Sequence, residues 1–210
     1  MTIHLHQGDL PGDLDWGDAV AIDSETMGLI PGRDRLCLVQ LSAGDGDAHL
    51  VQFRRPSDDA LPDYSAPNLR RLLIDAAVTK IFHFGRFDIA VLQHYMSVTC
   101  SPVFCTKIAS KLVRTYTDRH GLKDICNELL GVQLQKEQQS SDWGAEILSD
   151  AQCAYAASDV LHLHRLREVL GQRLAREGRT AMAQACFDFL PTRAALDLKG
   201  WSDVDIFAHS

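Results

Sequence analysis

Short apolar runs broken by turn residues fill the first part of the chain, and helical spacings take over in the second. Residues 3–6 predict a short edge strand, and the acidic stretch from Gly8 to Gly17, broken by Pro11 and Gly12, predicts a loop. Residues 19–24 read as a buried strand, Pro31-Gly32 as a turn and residues 36–41 as a second strand. Gly44-Asp45-Gly46-Asp47 is a turn signal before a third strand at 48–53, so these three strands predict an antiparallel meander. The stretch from Arg54 to Pro67, which also holds Pro56 and Pro62, reads as the most variable segment.

Leu69, Leu72 and Leu73 then predict a helix over 68–77, followed by a strand at 80–84, a helix at 86–96 and a short strand at 104–106. Further helices are predicted over 106–114, 120–130 and 148–177. A meander followed by strand–helix–strand–helix predicts an α/β fold with a mixed sheet flanked by helices. We expect one domain over 1–210, since no internal repeat or second unit is visible. The tail 187–210, with Phe187, Phe189, Trp201 and Phe207, is too apolar for a free terminus and is expected to pack on the domain or on a neighbouring subunit.

Composition changes this picture little. Of 210 residues, 46% are hydrophobic and 23% charged, as in ordinary globular proteins. A net charge of −7 argues against wrapping long nucleic acid by charge alone. It leaves room for a nuclease whose bound cations supply local positive charge. Cysteines 37, 100, 105, 126, 153 and 186 show no paired spacing, which suits small buried hydrophobes in a reducing compartment. Residues 1–10 carry no signal pattern and no apolar run reaches membrane-spanning length, so a cytoplasmic protein without a membrane partner is expected.

The candidate chemistry lies in carboxylates. Asp23 and Glu25 end the strand at 19–24, and strand positions i and i+2 point the same way. Taken alone they read as a strand ending in a solvated acidic turn, and the rest of the chain has to supply the reason for a metal site. Asp88 falls in the first turn of a helix after a strand, where an acid also favours the macrodipole. Tyr155 and Asp159 share one helical face, which Leu148, Leu166 and Val169 mark as inward. A simple Tyr–Asp hydrogen bond is the plain alternative there. Taken together, the four carboxylates form the oxygen ligand set that hard divalent cations take. Two such ions about 4 Å apart clamp both oxygens of a phosphodiester displacement, with Tyr155 orienting or deprotonating the water. His162-Leu163-His164 is not a ligand pair, because helical residues two apart face different ways. Lys107, Lys111, Arg114, Arg119 and Lys123 suit phosphate gripping and a solvated helix face equally well.

The order Asp23-x-Glu25, then Phe87-Asp88, then Tyr155-x-x-x-Asp159 resembles the DEDDy group of 3′–5′ exonucleases. Gly121-Leu122-Lys123, Leu130-Gly131-Val132, Lys136, Ser141-Asp142-Trp143 and Tyr155–Val160 resemble its RNase D branch. Residues 105–112, 116–120 and 189–193 are similar to the nano-RNase C group within it, over essentially 3–210. The resemblance implies an RNase H-like exonuclease fold. It implies two divalent ions, Mg²⁺ or Mn²⁺, held by Asp23, Glu25, Asp88 and Asp159, with Tyr155 at the water. It also implies substrate contacts from Thr26, Met27, Gly28, Leu29 and His83, with Leu29 wedged between bases. Phe84-Gly85 stands where many relatives have Asn-Ala, which puts substrate contact at position 84 in question but not Asp88.

The activity so implied is 3′–5′ hydrolysis of very short single-stranded RNA, dinucleotides included, to nucleoside 5′-monophosphates. A ring-like homo-oligomer, an octamer, is implied as well. The helical extension of longer RNase D proteins has no counterpart in this sequence, which weakens a tRNA-trimming role. Two alternatives stand beside this reading. One is a broader RNase D-like or DNA-directed exonuclease acting on DNA 3′ ends; the other is a non-catalytic nucleic-acid-binding module on the same fold.

Overall fold

The computed structural model describes residues 2–57, 59–134, 138 and 140–209. Lys136, one of the residues that carry the family resemblance, lies outside the described residues. The strands are β1 (Ile3–Gln7), β2 (Ala19–Thr26), β3 (Leu36–Ser42), β4 (Ala48–Gln52), β5 (Thr79–Phe82) and β6 (Val103–Cys105). They form one mixed sheet in the order β1-β4-β3-β2-β5-β6. The meander β2–β3–β4 is antiparallel, while β1 joins β4, and β5 and β6 extend from β2, all in parallel. The α/β expectation holds, and β1 is an edge strand.

Among the described residues there are seven helices: α1 (Pro67–Ile74), α2 (Gly85–Met96), α3 (Thr106–Val113), α4 (Leu122–Leu130), α5 (Asp150–Leu161), α6 (Leu163–Arg176) and α7 (Thr180–Leu198). They cover both faces of the sheet. Along β3 and β4, Val39 and Val51 join the larger core, while Leu38 and Leu50 pack with Trp143, Leu148 and Ala156 beneath α5 on the other face. Burial on both faces explains why β3 reads as a near-continuous apolar run, interrupted by Gln40, rather than an alternating one. Among the described residues, no helix is long and apolar enough to cross a membrane.

Two expectations need correction. The helix predicted over 148–177 is two, because the chain breaks at His162 (φ −105°) between α5 and α6. α5 packs on β2, β3 and β4, whereas α6 packs on α3 and α4, and one straight helix does not serve both. The helix predicted over 68–77 stops at Ile74, where Asp75 turns extended and its side chain accepts the Ala77 N–H at 2.9 Å. α7 runs through position 187 with Ala183, Phe187, Leu190 and Ala194 buried. α7 packs along α2. Beyond it, Trp201, Val204, Ile206 and Phe207 remain exposed.

The sheet's ladders decide where chemistry is possible. The ladder from β2 to β5 covers Ala19–Ala21, whereas the ladder to β3 continues to Thr26. The end of β2 therefore runs past β5 and offers an open flank beside the start of α2. Gly85 makes that start possible. A Cβ there would lie 2.8 Å from the Phe82 Cβ and 3.1 Å from its ring, so only glycine lets α2 close down on β5. The residue serves packing rather than ligand approach. Gly85→Ala is expected to cost about 1–3 kcal/mol by overpacking. Urea unfolding tests this, and a variant as stable as the parent would contradict it.

Candidate active site

Asp23 and Glu25 leave β2 on the face covered by α5, one residue apart as strand geometry requires. α5 opens with a reciprocal cap: Ser149 accepts the Gln152 backbone N–H while the Gln152 side chain returns to Ser149. From that fixed start the small residues Ala156 and Ala157 bring the helix down onto the sheet. Asp159 then points at β2, with Tyr155 one turn before it. Oxygens of Asp23, Glu25 and Asp159 lie within 4.8 Å of one another, the one such group of potential metal ligands among the described residues.

Asp88 approaches from α2 and is not in that tight group. It is buried, and its Oδ1 accepts the Ser24 hydroxyl at 2.7 Å. Ser24 points away from the face that Asp23 and Glu25 share, so Asp88 stands behind the end of β2. It is still close enough for its charge to raise both Asp23 and Glu25. From β3, Gln40 lies opposite Asp23 in the ladder and turns its Nε2 to Asp23 Oδ2 (3.4 Å) and Glu25 Oε1 (3.5 Å).

Electrostatically the site is frustrated. Burial pushes the Asp23 carboxyl well above its usual range, and the charges of Asp88, Asp159 and Glu25 push it further. Glu25 is raised to about 9, by burial first and then by Asp159 and Asp88. Asp88 and Asp159 each rise to about 7 through burial, opposed by hydrogen bonds from Ser24 and Tyr155 respectively. The salt bridges among the described residues reach none of the four. Burial and the same carboxylates keep the Tyr155 hydroxyl protonated, so it acts as a donor. Its ring lies 6.0 Å from that of Trp143.

This donor set fits divalent cations. Hard cations hold oxygens at about 2.0–2.6 Å, so two ligands of one ion lie within about 5 Å of each other. Uncompensated carboxylates at that spacing are the arrangement that a cation relieves.

Around the acids opens a cleft of about 590 Å³, and Thr26, Met27, Gly28, Leu29 and His83 all line it. Leu29 is 84% exposed, at the tip of the β2–β3 turn. Asp34 ties that turn by accepting the Ile30 N–H at 2.9 Å. A Cβ at Gly28 would fall 2.3 Å from the Asp34 carboxylate, so a larger residue there would displace the side chain that ties the turn. His83 Nδ1 lies 2.9 Å from the Thr106 hydroxyl. Burial, and then Lys107, lower its pKa to about 3, so His83 meets a substrate as a neutral group.

The opposite wall holds Ser140, Ser141 and Trp143. Side chains pin this segment by its carbonyls: Arg35 to Gly144 (3.2 Å), Gln52 to Ala145 (2.9 Å) and Gln152 to Asp142 (3.0 Å).

The basic stretch divides in two. Lys107 and Lys123 line the cleft, and Lys107 Nζ sits 4.2 Å over the ring of Phe84. Arg114 is 1% exposed, paired with Glu128 and bonded to Ser110 and the Arg119 carbonyl, so it holds α3 to α4 and grips no phosphate. Phe84 lines the cleft in a left-handed backbone conformation (φ 69°), so position 84 does face the site. Sequence patterning missed Gln40 and Ser24. Gln40 carries one visible signal, a polar residue inside an otherwise apolar run, whereas Ser24 is masked by the acids on either side of it.

Comparison with known proteins agrees with this geometry. A sequence model of the 3′–5′ exonuclease family matches residues 10–175. The chain is similar to ribonuclease D of Gluconacetobacter diazotrophicus, 36% identical over 160 residues, which are 76% of this chain and 39% of that protein. It is also 36% identical over 184 residues to DNA polymerase I of Aquifex aeolicus, covering 85% of this chain and 28% of that one. Among solved structures, NrnC of Brucella melitensis with bound Mg²⁺ superposes with a TM-score of 0.92, at 61% identity over all of both chains. The same protein bound to pGG gives 0.92 at 62% identity, again over all of both chains.

The raised carboxyl pKa values set a direction for stability. Carboxyls in unfolded chains titrate near 4. A group raised in the fold destabilises it above that value, and the loss is complete once pH passes the folded pKa. Between about pH 7 and pH 9, His83 (folded pKa about 3) is neutral in both states, while Glu25 (about 9) still loses its proton in the fold. Thermal unfolding with a chelator should therefore show Tm falling as pH rises through this window, and Glu25→Gln should raise Tm at its upper end. A level or rising Tm for the parent would contradict this.

Proposed function

The chain belongs to the 3′–5′ exonuclease family, and we propose that it is a metal-dependent exoribonuclease that finishes very short RNA, dinucleotides included. The observation that carries the proposal is the convergence of Asp23, Glu25 and Asp159 on the floor of a cleft that also holds Tyr155 and Leu29. Asp23, Glu25, Asp88 and Asp159 hold two divalent ions, Mg²⁺ or Mn²⁺. When bound, such ions activate the nucleophile and stabilise the attacking and leaving oxygens of an in-line displacement.

The chain's own side chains do the rest. Tyr155, kept as a phenol, donates to the attacking water and orients it towards phosphorus. Thr26, Met27, Gly28 and His83 surround the terminal nucleotide, and Leu29 at the turn tip wedges between its base and the next. Lys107 and Lys123 face the phosphates, and Phe84 gives the same rim an aromatic face. The product is a nucleoside 5′-monophosphate. Short substrates are favoured by the net charge of −7, which gives no long basic track. The pGG complex of NrnC supports the same preference.

Residues 1–210 work as one exonuclease unit in the cytoplasm. The exposed Trp201, Ile206 and Phe207 become covered in a ring-like homo-oligomer, an octamer. Action on DNA 3′ ends is the second reading, favoured by the likeness to a DNA polymerase.

Purified protein with Mn²⁺ should convert labelled di- to heptaribonucleotides to mononucleotides, fastest for the shortest. Equal rates on dinucleotides and long RNA would contradict the length preference, and equal rates on matched deoxyribonucleotides would favour the DNA reading. Binding of RNA without product, with either metal, would leave only a binding module. Asp23→Ala should abolish turnover. Tyr155→Phe should lower kcat by about 10²–10⁴-fold with little change in KM, and a change confined to KM would remove Tyr155 from the chemistry.

A further inference from the structure

Gln40 is completely buried in the middle of β3, where every neighbour along the strand from Leu36 to Leu41 is apolar. It stands directly across from Asp23 in the antiparallel ladder, so its side chain rises from the same face as Asp23 and Glu25. One amide nitrogen reaches both acids, at 3.4 and 3.5 Å, long distances for hydrogen bonds but well placed for a dipole between two like charges. The other end of the amide has nothing. Gln40 Oε1 is buried without a hydrogen-bond partner.

That orphan is informative. An unsatisfied buried acceptor costs about 1–3 kcal/mol, and a glutamine whose task was structural would satisfy both ends. Gln52, on the next strand, does so: its Nε2 donates to the Ala145 carbonyl and its Oε1 accepts from Gln7 and Arg54. Turning the Gln40 amide over would set Oε1 against two carboxylate oxygens. The side chain therefore keeps its donor end towards the acids, and the acceptor end is left stranded.

We propose that Gln40 is a positioning residue, whose amide fixes the carboxylates of Asp23 and Glu25 in the orientation that takes up divalent cations. Each acid gives one oxygen to the amide and keeps one free for an ion. The neutral donor does this without the positive charge that would compete with the cation, as a lysine at the same place would. Groups hydrogen-bonded behind metal ligands commonly act in this way. The inference rests on the metal-site reading above.

Titration calorimetry of the chelator-stripped full chain with Mn²⁺, in the absence of RNA, tests it apart from activity. Gln40→Met keeps the length and shape of the side chain and removes the donor. It should weaken Mn²⁺ binding about 10–100-fold, and lower kcat on a diribonucleotide with KM held. Gln40→Asn keeps an amide one methylene shorter and should fall between the two; it carries the comparison with the parent if Gln40→Met does not fold. A variant that binds Mn²⁺ as the parent does, whatever its Tm, overturns the role of Gln40 while leaving the metal site intact. A parent chain that binds no Mn²⁺ overturns both.

Discussion

Mutual repulsion among carboxylates at the end of β2 is the constraint that the rest of the structure accommodates. Asp23, Glu25 and Asp159 bring oxygens within 4.8 Å of one another, with Asp88 buried close behind. Left alone, such a cluster opposes folding, because each acid ionises less readily in the fold than in water. The fold holds the acids together with packing on either side of them. β2 is buried from Ala19 to Ile22, and α5 is capped at its start and pressed onto the sheet by small residues. Gly85 lets α2 approach closely enough to bring Asp88 alongside. Proteins commonly hold this kind of local instability where binding relieves it.

The acids differ in how the chain holds them. Asp159 receives a hydrogen bond from Tyr155 and Asp88 one from Ser24, and both stay near neutrality in their titration. Glu25, which has only a long contact to Gln40, rises to about 9, above Asp88 and Asp159. A site so arranged has three consequences on the proposed reading: strong affinity for cations, weak stability without them, and a cleft whose floor is negative until it is filled. The lysines complement this, since Lys107 and Lys123 line the cleft and form no salt bridge with the acids.

Much of this was legible in the sequence. The strands of the meander were visible as apolar runs between turn signals, and the i, i+2 spacing put Asp23 and Glu25 on one face. The break at His162 was not visible, because the buried positions Ala156, Val160, Leu163 and Leu166 keep a helical period across it with no glycine or proline between. Only the demand that α5 cover the sheet and α6 cover other helices separates the two. Arg114 read as a surface cation because spacing cannot report that Glu128, a helix away, takes its charge. Gln40 was hidden for the opposite reason. A lone amide in an apolar strand looks incidental until the ladder sets it opposite Asp23.

The central claim is that these acids form a two-ion site. Crystals of the full chain grown without chelator and soaked in Mn²⁺ would test it most directly, by anomalous scattering at the manganese edge. The account predicts two peaks about 4 Å apart, bounded by Asp23, Glu25, Asp159 and Asp88. A cleft without anomalous density, or a single ion that leaves Asp88 hydrogen-bonded to Ser24 and free of metal, would contradict it.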